Sequence, residues 1–230
     1  MRFALCSCLL ALALPVPGQQ SYVGRYDAYA GYTYLDSPAL SLNQNGFHTQ
    51  VGIRPRTWFS LGFDYSVADG NGSITPNLLT AALQQQLGAV LAQLASAGKI
   101  PAGYNLVLPF HALTQNFAAG PQFAYRHWSA VTLFFRPSIG AVHERATLRP
   151  ADPIAAAIAA QLAPSGNKQD WAAFYGFGGG ADLNFSQHFA VRVQADFVHD
   201  HLFSDLLKNG RNTVRVSVGP AVQFGRNVMK

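Results

Sequence analysis

The chain contains little that could support thiol chemistry or a helical membrane anchor. Its two cysteines, Cys6 and Cys8, both lie near the start. The rest of the chain therefore offers no disulfide framework, no thiol nucleophile and no cysteine metal site. Beyond residue 18, no segment reaches the ~18 uninterrupted apolar residues of a membrane-spanning helix. If the protein crosses a membrane, we expect a closed barrel of strands, because a barrel pairs every backbone polar group.

Charge is also scarce. Charged residues make up 12% of the 230 residues, and the formal net charge is +5. The arginines are scattered singly along the chain, whereas a nucleic-acid-binding protein needs a clustered basic face. The composition therefore excludes nucleic acid as a partner.

Residues 1–18 have a short basic start, an apolar run and a small-residue end. This pattern predicts a secretory signal peptide cleaved after Gly18. The remaining residues, 19–230, are enough for one barrel domain with large loops and too few for two separate cores.

Residues 58–67 alternate between two kinds of side chain. Phe59, Leu61, Phe63, Tyr65 and Val67 point to one face, and small or charged residues point to the other, as in a β-strand. The same pattern predicts eight strands, at about 25–35, 46–54, 58–67, 115–126, 130–144, 172–184, 188–200 and 212–224. A soluble protein would bury the apolar faces of its strands in a core. This chain has too many apolar faces for one core, and the opposite faces carry too many glycines and charged residues. We therefore expect the apolar faces to meet lipid.

The predicted connections alternate between tight turns and longer loops. Bacterial barrels have short periplasmic turns and long external loops. Two loops, 68–114 and 145–170, are long enough to carry structure. Thr75 and Pro76 predict a helix over about 76–97 that Gly98 ends, and Asp152 and Pro153 predict a second helix over about 153–163. We hypothesise that the two apolar helices pack together as an external lid over the barrel mouth.

The two ends of the predicted barrel carry a family resemblance. The segment Tyr26–Tyr32 and the segment Ser217–Phe224 resemble those of the OmpA-type eight-stranded outer-membrane β-barrels. The resemblance implies an all-β fold, an eight-stranded antiparallel transmembrane up-and-down barrel in the outer membrane. It also implies a terminal signal for the barrel-assembly machinery, formed by Ser217, Gly219, Val222 and Phe224. Family members often end on that aromatic residue, whereas this chain continues through Gly225–Lys230.

The inward-facing positions carry charges of both signs. The predicted lumen network comprises Asp27, Arg54, Asp64, Arg126, Arg136, Asp182, Arg192, Asp196 and Arg215. We expect Asp27 and Asp182 to lie low in the barrel near Arg54 and Arg126. We expect Asp64 and Asp196 at mid-height near Arg136 and Arg192. An eight-stranded barrel is just wide enough for side chains to fill it, so these charges predict a salt-bridge plug. The alternative interpretation is an ion path or gate.

Two motifs could carry chemistry. His127-Trp128-Ser129 has the His-x-Ser spacing of lipid A deacylases, but it falls in a predicted periplasmic turn without a nearby carboxylate. His199 and His201 could share a metal if His143 came close, although two ligands alone form a weak site. We therefore expect no catalytic residue, no metal site and no cofactor.

These observations together predict a monomeric, non-enzymatic outer-membrane β-barrel with an envelope-structural or surface-interaction role. Its expected partners are outer-membrane lipid including lipopolysaccharide, the barrel-assembly machinery and an external ligand at the loops 68–114 and 145–170. The alternatives are a narrow small-solute pore and an outer-membrane lipid-modifying enzyme similar to the lipid A deacylases. A soluble lipocalin-like barrel would instead place apolar side chains inside and polar ones outside.

Overall fold

A computed structural model of the protein describes residues 20–101 and 103–229, so the predicted signal peptide at 1–18 lies outside the described residues. The strands are β1 (Gly24–Ser37), β2 (Leu42–Arg56), β3 (Phe59–Ile74), β4 (Leu108–Tyr125), β5 (Val131–Leu148), β6 (Asn167–Asn184), β7 (Phe189–Asp200) and β8 (Arg211–Asn227). The helices are α1 (Ala81–Ser96) and α2 (Pro153–Leu162).

The strands form a closed antiparallel up-and-down barrel. Each strand pairs with the next in the chain, and β1 pairs with β8 to close the sheet. Tyr26 on β1 lies opposite Ile53 on β2 and opposite Phe224 on β8. All eight predicted strands are present, which confirms the predicted fold class. We call the end with the short turns the lower end and the opposite end the outer end.

Most of the predicted strands were too short, and β2, for example, begins four residues before its predicted start, at Leu42. Strands β3 to β6 extend well beyond the predicted bounds, and Ile74 pairs with Leu108 while Thr147 pairs with Asn167. Pairing continues because the extensions bury inward-facing apolar side chains such as Phe110. These four strands therefore form a tall wall at the outer end, and the loops between them are shorter than expected.

The predicted start of the first helix was also wrong. Pro76–Leu78 forms a 3-10 turn, and α1 begins only after Thr80. Leu79 instead forms a β-bridge with Leu207, and the Thr80 amide donates to the Leu206 carbonyl. These tertiary contacts outweigh the local helix preference of the segment. No helix among the described residues has the length and hydrophobicity needed to cross a membrane.

The apolar core of the protein lies at the outer end. One cluster lies inside the tall wall and contains Leu42, Phe110, Val142 and Phe174 together with Phe203 from the loop after β7. A second cluster lies beside it, under the two helices. The outer mouth is therefore filled with apolar side chains.

Leu108 and Leu113 provide a matched test of this core, because both lie on β4. Leu108 is 1% exposed and Leu113 is 39% exposed. We expect Leu108→Ala to lower the free energy of unfolding by about 2–5 kcal/mol, because it leaves a cavity in the packed cluster. Leu113→Ala should cost less than about 1 kcal/mol, since surface changes have small effects. Urea unfolding of both variants in lipid vesicles measures the difference, and equal costs would contradict the placement of the core.

Candidate functional site

The lower part of the lumen holds a cluster of four charged side chains. The Arg192 Nε atom lies 2.7 Å from the Asp182 carboxylate, and its Nη2 atom lies 3.5 Å from Asp27. Arg54 Nη2 lies 3.4 Å from the same Asp27 oxygen. All four side chains are buried, and the Arg192 guanidinium also lies over the ring of Phe134. Buried charges of this kind must be paired, because an isolated one is strongly destabilising.

The predicted place of Arg192 at mid-height was wrong. Asp182 and Arg192 occupy directly opposite positions on β6 and β7, so the two side chains meet across the strands. Arg215 takes the expected place of Arg192 at mid-height. Its Nη2 atom lies 2.9 Å from Asp196 and 3.5 Å from Asp64.

The middle cluster is centred on Asp64. Its carboxylate pairs with Arg136 and with Arg215, and all three side chains are buried. Gly178 makes room for the neighbouring Asp196, because a Cβ at that position would lie 1.9 Å from an Asp196 carboxylate oxygen. The small inward residues of β6 thus let large charged side chains meet across the lumen.

A third cluster at the outer end was missing from the predicted network. Arg211 Nη1 lies 2.6 Å from Glu144, and Arg211 Nε lies 3.2 Å from Asp200. The Thr114 hydroxyl also donates to Glu144 at 2.7 Å. The alternation of side chains along β8 could have identified Arg211 as inward-facing, because it lies two residues before Thr213 and four before Arg215, which both face inward.

Arg126 lies at the lower mouth near the first cluster but forms no ion pair within 4 Å with any described residue. It donates instead to the Thr57 carbonyl, the Thr132 hydroxyl and the side-chain oxygen of Gln20. The Gln20 amide in turn donates to Thr132 at 2.7 Å. The segment before β1 therefore contributes a side chain to the floor of the barrel.

The lumen is filled from one end to the other. In the described part of the chain, the three clusters and Arg126 bring together six buried carboxylates and six guanidinium groups, so their formal charges cancel. Two cavities lie beside these groups, one lined by Arg54 and Arg126 and one lined by Arg211 and Arg215. Each has a volume of about 10 Å³, which is room for about one water molecule.

One buried trio resembles a catalytic triad in composition. His48 Nδ1 lies 3.1 Å from the Ser217 hydroxyl, and His48 Nε2 lies 3.8 Å from Asp64. All three side chains are 0% exposed, and Asp64 is already paired with Arg136 and Arg215. A nucleophile must reach its substrate, so this arrangement belongs to the packing of the lumen.

The two histidine motifs lie far from any cluster of ligands. The His127 and Trp128 rings meet edge to face in the β4–β5 turn at the lower end, with 5.5 Å between centroids. His199 Nδ1 lies 2.6 Å from the Asn212 side chain, and the His199 and His201 rings are 4.9 Å apart, while His143 stacks on Trp171. Among residues 20–101 and 103–229, no three His, Cys, Asp or Glu side chains come together as a metal site.

Two rings of aromatic side chains surround the barrel wall. Near the lower end, Tyr26 contacts Phe224, with 5.7 Å between ring centroids. Towards the outer end, Phe117 lies 5.0 Å from Tyr65 and 6.0 Å from Trp171. We call these the lower and upper aromatic belts. They lie where such belts meet lipid headgroups in membrane barrels.

The side-chain polarity of the wall reverses at the upper belt. Between the belts, the outward side chains are apolar and exposed, with Ile139 at 70%. Above the upper belt, most outward side chains are polar, with Leu113 as an apolar exception, and beyond the Glu144–Arg211 cluster the buried inward side chains are mainly apolar. The outward set includes Asp69, Asn71, His111, Arg145 and Gln169, and the inward set includes Phe110, Ala112 and Ala146.

An external cap covers the outer mouth. Leu87 of α1 packs in one cluster with Ala155, Ile158 and Ala159 of α2, so the two helices share a core. The loop after β7 fills the space between them and the wall, where the Phe203 amide donates to Asp170 and Lys168 pairs with Asp205. This loop was not expected to contribute to the cap.

Asp152 caps α2 as predicted. Its carboxylate accepts hydrogen bonds from the amides of Ala155 and Ile154, at 2.8 and 2.9 Å, and from the Tyr104 hydroxyl. These bonds, the one from Ala155 foremost, lower the pKa of Asp152. Desolvation and the Asp152 carboxylate together raise the pKa of Tyr104.

The four residues of the predicted assembly signal lie along β8. The Ser217 side chain is fully buried and hydrogen-bonds to Thr33, whereas Phe224 lies in the lower belt. Gly219 lies opposite Arg192 in the β7–β8 ladder, and Val222 lies opposite Phe189. Recognition by the assembly machinery remains a prediction.

The geometry defines a closed eight-stranded up-and-down barrel with a charged, filled lumen and an external cap. No protein-family model matches the sequence, and no curated protein matches it significantly. Among solved structures, Neisserial surface protein A has 10% sequence identity and a TM-score of 0.51, over 86% of this chain and 96% of that one.

Two further similar structures come from other bacteria. The attachment invasion locus protein Ail of Yersinia pestis, solved with the heparin analogue sucrose octasulfate, has 13% identity and a TM-score of 0.47, over 88% of this chain and 99% of that one. The N-terminal β-barrel domain of OprF from Pseudomonas aeruginosa has 12% identity and a TM-score of 0.41, over 86% of this chain and 98% of that one. At such identities, the likeness is one of fold alone.

Asp64→Asn tests the plug, with Asp69→Asn on the same strand as its control. Asp64 is buried between two arginines, whereas the Asp69 side chain is 63% exposed. We expect Asp64→Asn to lower the free energy of unfolding by about 3–5 kcal/mol, because it leaves buried guanidinium charge without its partner. Asp69→Asn should change it by less than about 0.5 kcal/mol. Urea titration in lipid vesicles measures both, and a small effect of Asp64→Asn would argue against a dry plug.

The pKa of Asp152 predicts a pH dependence of the cap. Because the folded-state pKa is lowered, the capping interaction is fully present above the unfolded pKa of about 3.9 and is lost as the pH falls through the folded pKa. Hydrogen exchange of the α2 amides, corrected for intrinsic rates, should show protection falling below about pH 4. Asp152→Ala should already have low protection at neutral pH, and unchanged protection in that variant would contradict the capping role.

Proposed function

We propose that this protein is an outer-membrane β-barrel that has an envelope-structural or surface-interaction role and catalyses no reaction. The observation that carries the proposal is the reversal of side-chain polarity at the upper belt. Exposed apolar side chains dominate the outward face between the two aromatic belts, where a lipid bilayer would contact them. Above the upper belt the outer face of the wall is mainly polar and its inner face is covered by the apolar cluster around Phe110, as water on the outer face would favour.

The orientation follows from the connections. Bacterial barrels have short periplasmic turns and long external loops, so the lower end would face the periplasm and the cap would project from the cell. The predicted signal peptide, outside the described residues, would provide the route of secretion. The end of β8 would be read by the barrel-assembly machinery during insertion.

The cap favours a surface role over a transport role. The outward sides of α1 and α2 consist mainly of alanine and glutamine, and the helices themselves carry no charged residue. We propose that the loops present this uncharged face to an external ligand while the barrel wall contacts outer-membrane lipid, including lipopolysaccharide. The protein would act as a monomer, because the closed barrel leaves no strand edge to pair with another chain.

The two alternatives have less support. A small-solute pore needs a continuous path, whereas the lumen contains a neutral network of ion pairs and an apolar outer plug. A lipid-modifying enzyme needs its catalytic residues near the outer leaflet, whereas His127 and Ser129 lie at the opposite end of the barrel from the cap.

Gel migration and trypsin treatment of intact cells test the location and orientation. We expect unboiled protein in outer-membrane fractions to migrate differently from boiled protein, because folded barrels resist detergent. Trypsin added outside should cut first at the exposed Lys99 and Lys208, while Lys168, which pairs with Asp205, should be cut more slowly. Protein that stays soluble with no shift on boiling would contradict the proposed membrane location. Cleavage confined to Arg56 and Arg226 would contradict the orientation.

A further inference from the structure

Three exposed arginines lie at the lower end of the barrel without a hydrogen-bond or ion-pair partner among the described residues. Arg25 on β1, Arg56 on β2 and Arg226 on β8 are exposed, and none of their side chains forms a hydrogen bond or an ion pair with any residue in 20–101 or 103–229. The three strands are neighbours, because β1 lies between β8 and β2. Adjacent strands are about 4.8 Å apart, so the three guanidinium groups project from a short arc of the rim. We call these three residues the rim arginines.

Irregular strand ends bring the rim arginines to the surface. In the β2–β3 ladder, the register shifts between Ile53 and Arg56, so that Arg56 lies opposite Phe59 on the outward face. In the β1–β8 ladder, Gly24 pairs with Asn227 and Tyr26 with Phe224, which leaves Arg25 opposite both Gly225 and Arg226.

Gly225 supplies the backbone conformation for the second irregularity. Its φ of +88° lies in the left-handed region that glycine adopts without strain. A glycine in this conformation is typical of one kind of β-bulge, and bulges often redirect side chains at barrel rims. Regular alternation from Arg54 would have turned Arg56 inward, and regular alternation from Asp27 would have turned Arg25 inward. The irregular ends therefore keep these charges out of the lumen.

The surroundings of the rim arginines fit an anion at a membrane surface. The chain has 11 acidic residues, all within the described segments, and six of them are buried in the lumen. The other five, Asp36, Asp69, Asp152, Asp170 and Asp205, all lie at the outer end. The rim arginines thus face no competing carboxylate, and they lie beside the Tyr26–Phe224 pair of the lower belt.

We propose that the rim arginines form a binding site for the headgroup of a phospholipid with two phosphates, cardiolipin, in the periplasmic leaflet of the outer membrane. Guanidinium groups bind phosphate oxygens through paired hydrogen bonds, and clustered basic side chains at membrane interfaces recognise anionic headgroups. Three guanidinium groups on neighbouring strands can engage both phosphates of one molecule at once. This inference rests on the proposed membrane location, because it requires the lower belt to lie at a headgroup layer.

Lipid binding to the purified full chain tests the site. Native mass spectrometry would follow titration with cardiolipin, with phosphatidylglycerol at equal phosphate and with phosphatidylcholine. The test variant is Arg25→Gln/Arg56→Gln/Arg226→Gln. The control variant, Arg145→Gln/Arg149→Gln/Lys208→Gln, removes the same charge from exposed positions at the outer end. Heat-dependent gel migration would show that each variant is folded.

We expect the wild type and the control to bind one cardiolipin more tightly than two phosphatidylglycerols. The test variant should lose about 100-fold in affinity, since each interfacial arginine contributes about a fivefold effect. If the triple variant fails to fold, Arg56→Gln alone should weaken binding about fivefold.

The outcomes that would overturn the site are distinct from failure of the proposed function. Equal cardiolipin affinity in the test and control variants would overturn it, as would equal binding of phosphatidylglycerol. If the wild type inserts into vesicles but binds no cardiolipin, the proposed lipid site is wrong and the proposed membrane location is unaffected. A wild type that inserts into no vesicle overturns both.

Discussion

The pairing of buried charges in the lumen is the constraint on which the rest of the structure depends. An eight-stranded barrel is just wide enough for side chains to fill it, and a charge left alone there is strongly destabilising. Asp64 meets this constraint by lying between Arg136 and Arg215, and Asp182 by lying directly opposite Arg192. The Asp64 pairs join β3 to β5 and to β8, which are far apart in the chain, so they also help to fix the register of the barrel.

The same eight strands carry two opposite patterns of side-chain polarity. Between the aromatic belts, the polar side chains are inside and the apolar ones outside, whereas the extensions of β3 to β6 reverse this arrangement. Above the upper belt, the inward Phe110 packs with Phe203 of the loop after β7. The cap therefore depends on an apolar core of the kind found in soluble proteins.

The alternation of side chains was enough to predict all eight strands, the outward faces and most of the charged network. It could not predict how far β3 to β6 extend. Around Phe110 and Ala112 the side chains still alternate, but there the apolar side chains face inward, whereas lower in the wall they face outward. Arg192 was predicted at mid-height, whereas it pairs with Asp182 in the lower cluster. The alternation of side chains shows which face of the sheet a residue lies on, but not which partner a long side chain reaches. Leu79 was predicted within the first helix but forms a β-bridge with Leu207. The two residues are more than a hundred positions apart, so the local sequence could not predict this contact. Arg56 was turned outward by a register shift that only the strand pairing reveals.

The central claim is that lipid contacts the wall only between the belts, and fluorescence quenching by lipid tests it most directly. The chain has no cysteine after Cys8, so single cysteines can be placed along the outward face of β3 at Phe63, Val67, Asp69 and Asn71 and labelled with a fluorophore. In vesicles with quenchers on the acyl chains, we predict strong quenching at Phe63, which lies between the belts, weaker quenching at Val67, just above Tyr65 of the upper belt, and little quenching at Asp69 and Asn71. Uniform quenching along the strand, or none at Phe63, would contradict the account.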